Sequence, residues 1–297
     1  MFFLHILYGT TFTISKILVQ YSSPIFIIGI RMVLAGLLLI GIAHFIGKVK
    51  IRYDRKTVSY LAQAAVFGIF IPYILRYWSL QYLPVTKTAL IYNLGPFVTC
   101  IIAYFVFNET LTKKKALGLM LGFSSIIPLF ITQTPQEATV EAIGRISWPE
   151  LAMLCSVTCF SYGWIVVKKL LQHQPISSFA LNGRTMLMGG ILALGTSLIA
   201  EPNHTIAHPW EFASWLALII LITNVICFYL YSKLLTRHSA TLLSLGSLLT
   251  PVSASITSAL YLKEKISADF YISGFLIMTG FFIFYSDELL KQYRHKA

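Results

Sequence analysis

Charge is what this sequence has least of. Asp, Glu, Lys and Arg make up 11% of its 297 residues, under half of the roughly 25% usual in a soluble domain. Acidic residues are scarcer than basic ones, at 11 against 23. So little charge cannot cover the surface of a water-soluble globule, which excludes a soluble enzyme or a soluble binding domain. Cysteines number only four, and Cys100, Cys155, Cys159 and Cys227 all lie in apolar runs with no His or acidic residue accompanying them. They read as small buried hydrophobes rather than as a metal or redox site. No Walker motif, H-E-x-x-H metal set, Ser/His constellation or paired-Asp constellation is present, so neither direct use of ATP nor a membrane-embedded enzyme is indicated. No catalytic residue, metal site or cofactor is expected.

What is present is apolar. The hydrophobic residues reach 57% and the mean hydropathy is +0.74. A membrane-spanning helix needs about 20 apolar residues, so ten helices use roughly 200 and leave about 97 for short connections. Ten apolar segments are legible, at about 2–20, 24–46, 58–80, 85–107, 114–132, 148–170, 177–199, 211–235, 240–262 and 269–286. Pro24, Pro84, Pro135, Pro175, Pro202 and Pro209 punctuate them, as breakers do between helices. The runs are about twice the length of a barrel strand and continuously apolar, so they predict helices. The fold class expected is an all-α integral membrane protein of ten transmembrane helices. The first segment has no basic region and no small-residue cleavage site, and reads as a retained helix rather than a signal peptide.

The net charge of +12 does not point to nucleic acid. Fifteen basic residues fall in five clusters between apolar runs, namely 48–56, 113–115, 168–169, 233–237 and 291–296. Lys16, Arg76, Lys87, Arg145, Lys263 and Lys265 fall on the alternate side, and Glu109, Glu150, Glu211 and Glu264 sit at helix ends. Fifteen against six orients the clustered side, with both termini, toward the cytoplasm.

Self-comparison reveals an internal repeat. A shift of 155 residues lays 59–109 on 214–264 without a gap and with twelve identities, including Pro96/Pro251 and Glu109/Glu264. A shift of 153 pairs Lys16/Lys169, Arg31/Arg184 and Gly36/Gly189. Two five-helix halves follow, 1–132 and 148–286, joined by an outer loop at 133–147 and followed by a cytoplasmic tail at 287–297. Five is odd, so the second half crosses the membrane in the opposite sense. Such inverted-topology repeats permit alternating access to a midplane site.

Tyr8–Phe12, Arg31, the stretch Ala89–Thr112 and the stretch Thr241–Ser267 followed by Gly274–Gly280 resemble the EamA repeat. Over nearly its whole length the chain resembles a ten-helix member of the drug/metabolite transporter superfamily. Around Ser15-Lys16 and Ile30–Met32 it is also similar to the S-adenosylmethionine/S-adenosylhomocysteine carriers of intracellular bacteria in that superfamily. The resemblance implies a central cavity lined by the first, third, fourth, sixth, eighth and ninth helices.

Candidate site residues fall on those helices. His5, Tyr8 and Phe12 share a face at i, i+3, i+7, and Tyr73 and Tyr77 at i, i+4. Tyr92 and Asn93 precede Pro96, while Ser247 precedes Pro251. Tyr162, Trp164 and Asn224 complete the substrate-binding set. His5 reads equally as a packed, hydrogen-bonded residue, and Tyr77 as part of an interfacial belt. Arg31 and Arg184 are intramembrane cations that either lock each half or attract an anionic group. Pro96 and Pro251 are expected hinges. The function implied is secondary transport of a small organic metabolite across a bacterial inner membrane. An S-adenosyl compound or similar zwitterionic nucleoside-like solute fits best, and amino-acid or metabolite export and a non-transporting membrane subunit remain as alternatives. Partners are that metabolite and membrane lipid, with no nucleic acid; a homodimer is left open.

Overall fold

The computed structural model describes residues 2–46, 51–107, 112–131, 135–173, 176–202, 205–236, 243 and 245–294. In chain order its helices are α1 (Phe2–Leu18), α2 (Pro24–Phe45), α3 (Arg55–Tyr82), α4 (Val85–Tyr92 and Gly95–Phe107), α5 (Lys113–Ile131) and α6 (Trp148–His173). There follow α7 (Ser178–Ala200), α8 (Pro209–Leu235), α9 (Leu249–Tyr261) and α10 (Ala268–Arg294). Eight of these are long and apolar enough to cross a membrane, while α1 and α9 are shorter. The protein is an all-α multi-pass membrane protein. Its one sheet among the described residues is a hairpin of β1 (Ala142–Ile143) and β2 (Ile146–Ser147) between α5 and α6.

Local chemistry explains where the helices depart from the apolar runs. The third helix begins at Arg55 rather than 58 because Asp54 caps it, its side chain accepting from Thr57 N at 3.0 Å. Such a cap lets a polar first turn precede the apolar stretch. α6 runs on to His173, whose Nε2 lies 2.9 Å from Asp54 Oδ2. The Thr57 and His173 hydrogen bonds hold the Asp54 carboxyl below the usual carboxylate range. Glu109 lies outside the described residues, as do 240–242 and 244 of the expected ninth segment.

α2 lies along α7 through glycines. A β-carbon at Gly36 would come within 2.6 Å of Leu187 N, and one at Gly190 within 2.7 Å of Val33 N. α1 packs on α9, α3 on α6, and α5 on α10. Apolar side chains such as Leu198, Phe105 and Leu260 remain exposed on the outside, as expected of a protein solvated by lipid. Cys155 is also exposed and Cys159 half-buried, which corrects the expectation that all four thiols are buried. They face outward from α6, where lipid accepts a small apolar group.

One end of the bundle carries a set of polar ties, with a cavity of about 580 Å³ lined by Lys16, Gln81, Pro84 and Glu264 among them. Lys16 Nζ donates to the carbonyls of Leu80 and, at 3.0 Å, Leu83, capping the end of α3 where helix carbonyls lack partners. Both Glu264 carboxylate oxygens accept from Val85 N at 3.1 Å, and Glu201 accepts from Ile25 N and Phe26 N at the start of α2. Lys87 pairs with Glu137 at 3.0 Å and Glu150 at 2.5 Å, all three buried. Glu150 also accepts from Ser147 N at 2.6 Å, the backward half of a capping box. Arg76 and Lys87, counted with the outer face in the orientation argument, are buried side chains within α3 and α4.

Candidate functional site

A cavity of about 40 Å³ opens between α1, α4, α6, α8 and the residues just before α9. α4 contributes through a break. The helix stops at Tyr92 and restarts at Gly95, because Pro96 has no amide to continue the ladder. Ser161 Oγ of α6 donates to the Gly95 carbonyl at 3.3 Å across this break. α8 contributes through a wide π-helical turn at Ile220–Cys227, a rare conformation frequent at functional sites. Tyr231, in the α-helical turn that follows, lines the cavity.

The walls are aromatic. Trp164 lies 4.2 Å from Tyr231 and 5.2 Å from Phe228 between centroids, and Phe160 bridges Trp164 to Tyr92. Polar side chains stand among these rings. Tyr8 Oη, Trp164 Nε1 and Ser247 Oγ are sealed from solvent and, among the described residues, have no hydrogen-bond partner. His5 Nε2 donates to the Leu243 carbonyl at 3.0 Å.

Of the candidates from the sequence, the structure gathers His5, Tyr8, Tyr92, Trp164, Ser247 and Pro96 around the cavity. Phe12 and Tyr73 form a layer behind it, against Tyr92 and Phe160. Asn93 is buried away from the lining, with Oδ1 unpartnered among the described residues. Tyr162 turns aside to donate to Gln63 Oε1 at 2.6 Å. Pro251 is buried within the first turn of α9. The two repeat-related arginines differ. Arg31 is fully buried and donates to Asn224 Oδ1 at 2.9 Å and Tyr77 Oη at 2.7 Å. Arg184 is partly exposed and donates to Tyr53 Oη and the Ala180 carbonyl. Tyr77 is thus neither interfacial nor on the cavity. Phe160 and Thr99 line the cavity without having been singled out, since an apolar ring and a lone hydroxyl carry no distinguishing pattern. Asn224, in the face expected of α8, holds Arg31 instead.

Residues 1–131 and 147–286 match the EamA-like transporter family. The chain belongs to this family. It is 31% identical over 97% of its length to the S-adenosylmethionine/S-adenosylhomocysteine transporter of Chlamydia muridarum (strain MoPn / Nigg), covering 91% of that protein. The transporter of the same name from Chlamydia trachomatis serovar L2 is 28% identical, with 97% of this chain and 88% of that one covered. The uncharacterized transporter YetK of Bacillus subtilis (strain 168) is 23% identical over 93% of this chain and 82% of its own. A solved crystal structure superposes with a TM-score of 0.69 at 16% identity, covering 95% of this chain and 94% of that one, a likeness of fold alone.

Proposed function

We propose that this EamA-family transporter exchanges S-adenosylmethionine for S-adenosylhomocysteine across a bacterial inner membrane. The observation that carries this reading is the aromatic-walled cavity with sealed, unpartnered polar atoms. Flat rings suit an adenine by stacking and a sulfonium or ammonium by cation–π contact, and the free donors suit polar substituents. The named chlamydial relatives, matched over almost their whole length, support the same choice. His5, Tyr8, Tyr92, Trp164 and Ser247 are assigned to solute contact.

In this reading α1 and α9 complete ten crossings, α1 being roughly 26 Å long, and the halves 1–132 and 148–286 are inverted copies. The structure supports the repeat at three points. The π-helical turns at Val66–Phe70 and Ile220–Cys227 coincide at the offset of 155. The interruptions before Pro96 and Pro251 do so too. Packing is also symmetric under exchange of the halves: α2 meets α7, α5 meets α10, and α1 on α9 mirrors α6 on α4. Substrate pockets run to about 300 Å³ or more, so a cavity of about 40 Å³ must widen to admit a solute. Rocking about Pro96 and Pro251 would widen it from the N-terminal face, which we place in the cytoplasm, while the Lys16, Glu264 and Lys87 ties hold the other end together. Thiol labelling of Lys114→Cys and Glu141→Cys from opposite sides of the membrane tests that orientation.

The function itself is tested on the purified protein. A ligand present at 100 times its Kd stabilises the native state by about 2.7 kcal/mol, so S-adenosyl compounds should raise the melting temperature and drive counterflow in liposomes. Stabilisation and counterflow by amino acids, with none by S-adenosyl compounds, would replace this reading with amino-acid export.

A further inference from the structure

Arg76 lies in the membrane-spanning helix α3 and is 6% exposed. Its guanidinium carbon is 4.2 Å from the centroid of Tyr73, 5.3 Å from Phe12 and 5.9 Å from Tyr92. Rings over its faces offset part of the loss of water. They leave its N–H groups unserved, because these lie in the guanidinium plane and require acceptors. Nε is sealed from solvent and has no hydrogen-bond partner among the described residues. Among the described residues no carboxylate pairs with it; the buried acids Glu137 and Glu150 are engaged with Lys87. Arg31, which approaches the same Tyr73 ring at 5.3 Å, has its Nε and one terminal nitrogen bonded to Asn224 and Tyr77. Among the described residues, two guanidiniums are thus buried around one ring without an anion, and only that of Arg31 is held by hydrogen bonds. A buried charge without a counter-charge is costly, and a planar fork of donors is the geometry that a carboxylate matches.

We propose that Arg76 receives the carboxylate of the transported solute, an inference that rests on the reading of that solute as an S-adenosyl compound. Tyr92 connects the two places, since its ring both lines the cavity and flanks the guanidinium. When the cavity widens, displacement of that ring joins it to Arg76. The offset of 155 sets Arg76 opposite Tyr231 and Tyr73 opposite Phe228. One half therefore supplies a cation where the other supplies a ring. A solute with a carboxylate at one end and a flat base at the other takes both.

The test compares S-adenosylhomocysteine with 5′-methylthioadenosine, which keeps the adenosine and thioether but lacks the amino-acid end. Binding is measured on the purified full chain. The parent protein should prefer S-adenosylhomocysteine by about tenfold or more, the worth of a charge-assisted hydrogen bond. Arg76→Gln should bind 5′-methylthioadenosine as the parent does and lose the preference. Arg76→Lys, which keeps the charge but not the fork, should retain part of it. A preference undiminished in Arg76→Gln overturns the assignment while leaving the proposed function intact. Should Arg76→Gln fail to fold, modification by phenylglyoxal decides. S-adenosylhomocysteine, and not 5′-methylthioadenosine, should protect Arg76 in the parent, and equal protection by both overturns the idea. Should neither nucleoside bind the parent, the S-adenosyl reading fails, and free L-methionine and other amino acids become the probes. Binding lost in Arg76→Gln or Arg76→Lys upholds Arg76 as the carboxylate site, whereas unchanged or absent binding overturns it.

Discussion

The Arg31 guanidinium is held by neutral partners, Asn224 Oδ1 at 2.9 Å and Tyr77 Oη at 2.7 Å, with Ser15 Oγ donating to the same Tyr77 oxygen at 3.0 Å. These four residues tie α1, α2 and α3 to α8. Removing one partner leaves the other desolvated and unmatched, at about 1.5–3 kcal/mol for a bond to a charged group. Asn224→Leu and Arg31→Met should each destabilise on that scale, and the double variant by less than the sum. A coupling of about 0.5–3 kcal/mol in a thermal-unfolding cycle is expected; strict additivity would show that the bonds contribute nothing together. Trp164 offers a second test at this scale. Trp164→Phe keeps a ring against Tyr231 but loses the unpartnered Nε1–H, and should weaken solute binding by about 0.5–1.5 kcal/mol. Trp164→Ala, which also removes the wall, should weaken it further. Unchanged binding in both variants would move the solute elsewhere.

Helices meet here by two devices, close backbone approach and capping. On α2 and α7 a β-carbon at Gly36 or Gly183 would meet the partner backbone at 2.6 and 2.9 Å, whereas Gly41 and Gly195 on the same helices have open space. Gly36→Leu and Gly183→Leu should therefore lower the melting temperature, overpacking costing about 1–3 kcal/mol. Gly41→Ala and Gly195→Ala should be neutral or gain about 0.4–1 kcal/mol. Equal effects at all four positions would show that α2 and α7 do not meet along these glycines. The match of Gly36 with Gly189 was legible in the sequence, but not that Gly36 meets α7 while Gly189 meets Ile69 and Ala65 of α3, because the repeat carries no record of which helices touch. The same gap explains the site. Helices and the cavity-lining His5, Tyr8 and Tyr92 were readable, since lipid demands closed backbone hydrogen bonding and faces follow from a 3.6-residue period. Tyr77 and Asn224 became candidates for solute contact because their true partner, Arg31, is distant in the chain. Arg76 was counted with the outer face because it lies in the last turns of the third apolar run, 58–80, and the spacing of that run does not show that Phe12, Tyr73 and Tyr92 enclose it.

At the scale of the whole molecule the decisive quantity is the charge moved in one cycle. S-adenosylmethionine carries a sulfonium, an ammonium and a carboxylate, for a net single positive charge, while S-adenosylhomocysteine is a neutral zwitterion. The protein's own contribution does not change between the two half-cycles if no group in the path titrates. Among the described residues no carboxylate lines the cavity, and the buried acids pair with Lys87 at one face. In the proposed one-for-one exchange, one positive charge would then move inward for each S-adenosylmethionine taken up. Moving one charge through 100 mV is worth about 2.3 kcal/mol, which corresponds to roughly a fiftyfold bias in distribution. Liposomes loaded with S-adenosylhomocysteine and given an inside-negative potassium diffusion potential should accumulate labelled S-adenosylmethionine by about that factor, with no pH gradient imposed. Reversing the potential should reverse the bias, and exchange of S-adenosylhomocysteine for itself should ignore it. Accumulation that follows an imposed pH gradient and not the potential would mean that a proton moves with the solute. In that case a titrating group in the path, with His5 the first to replace by alanine, would have to carry it.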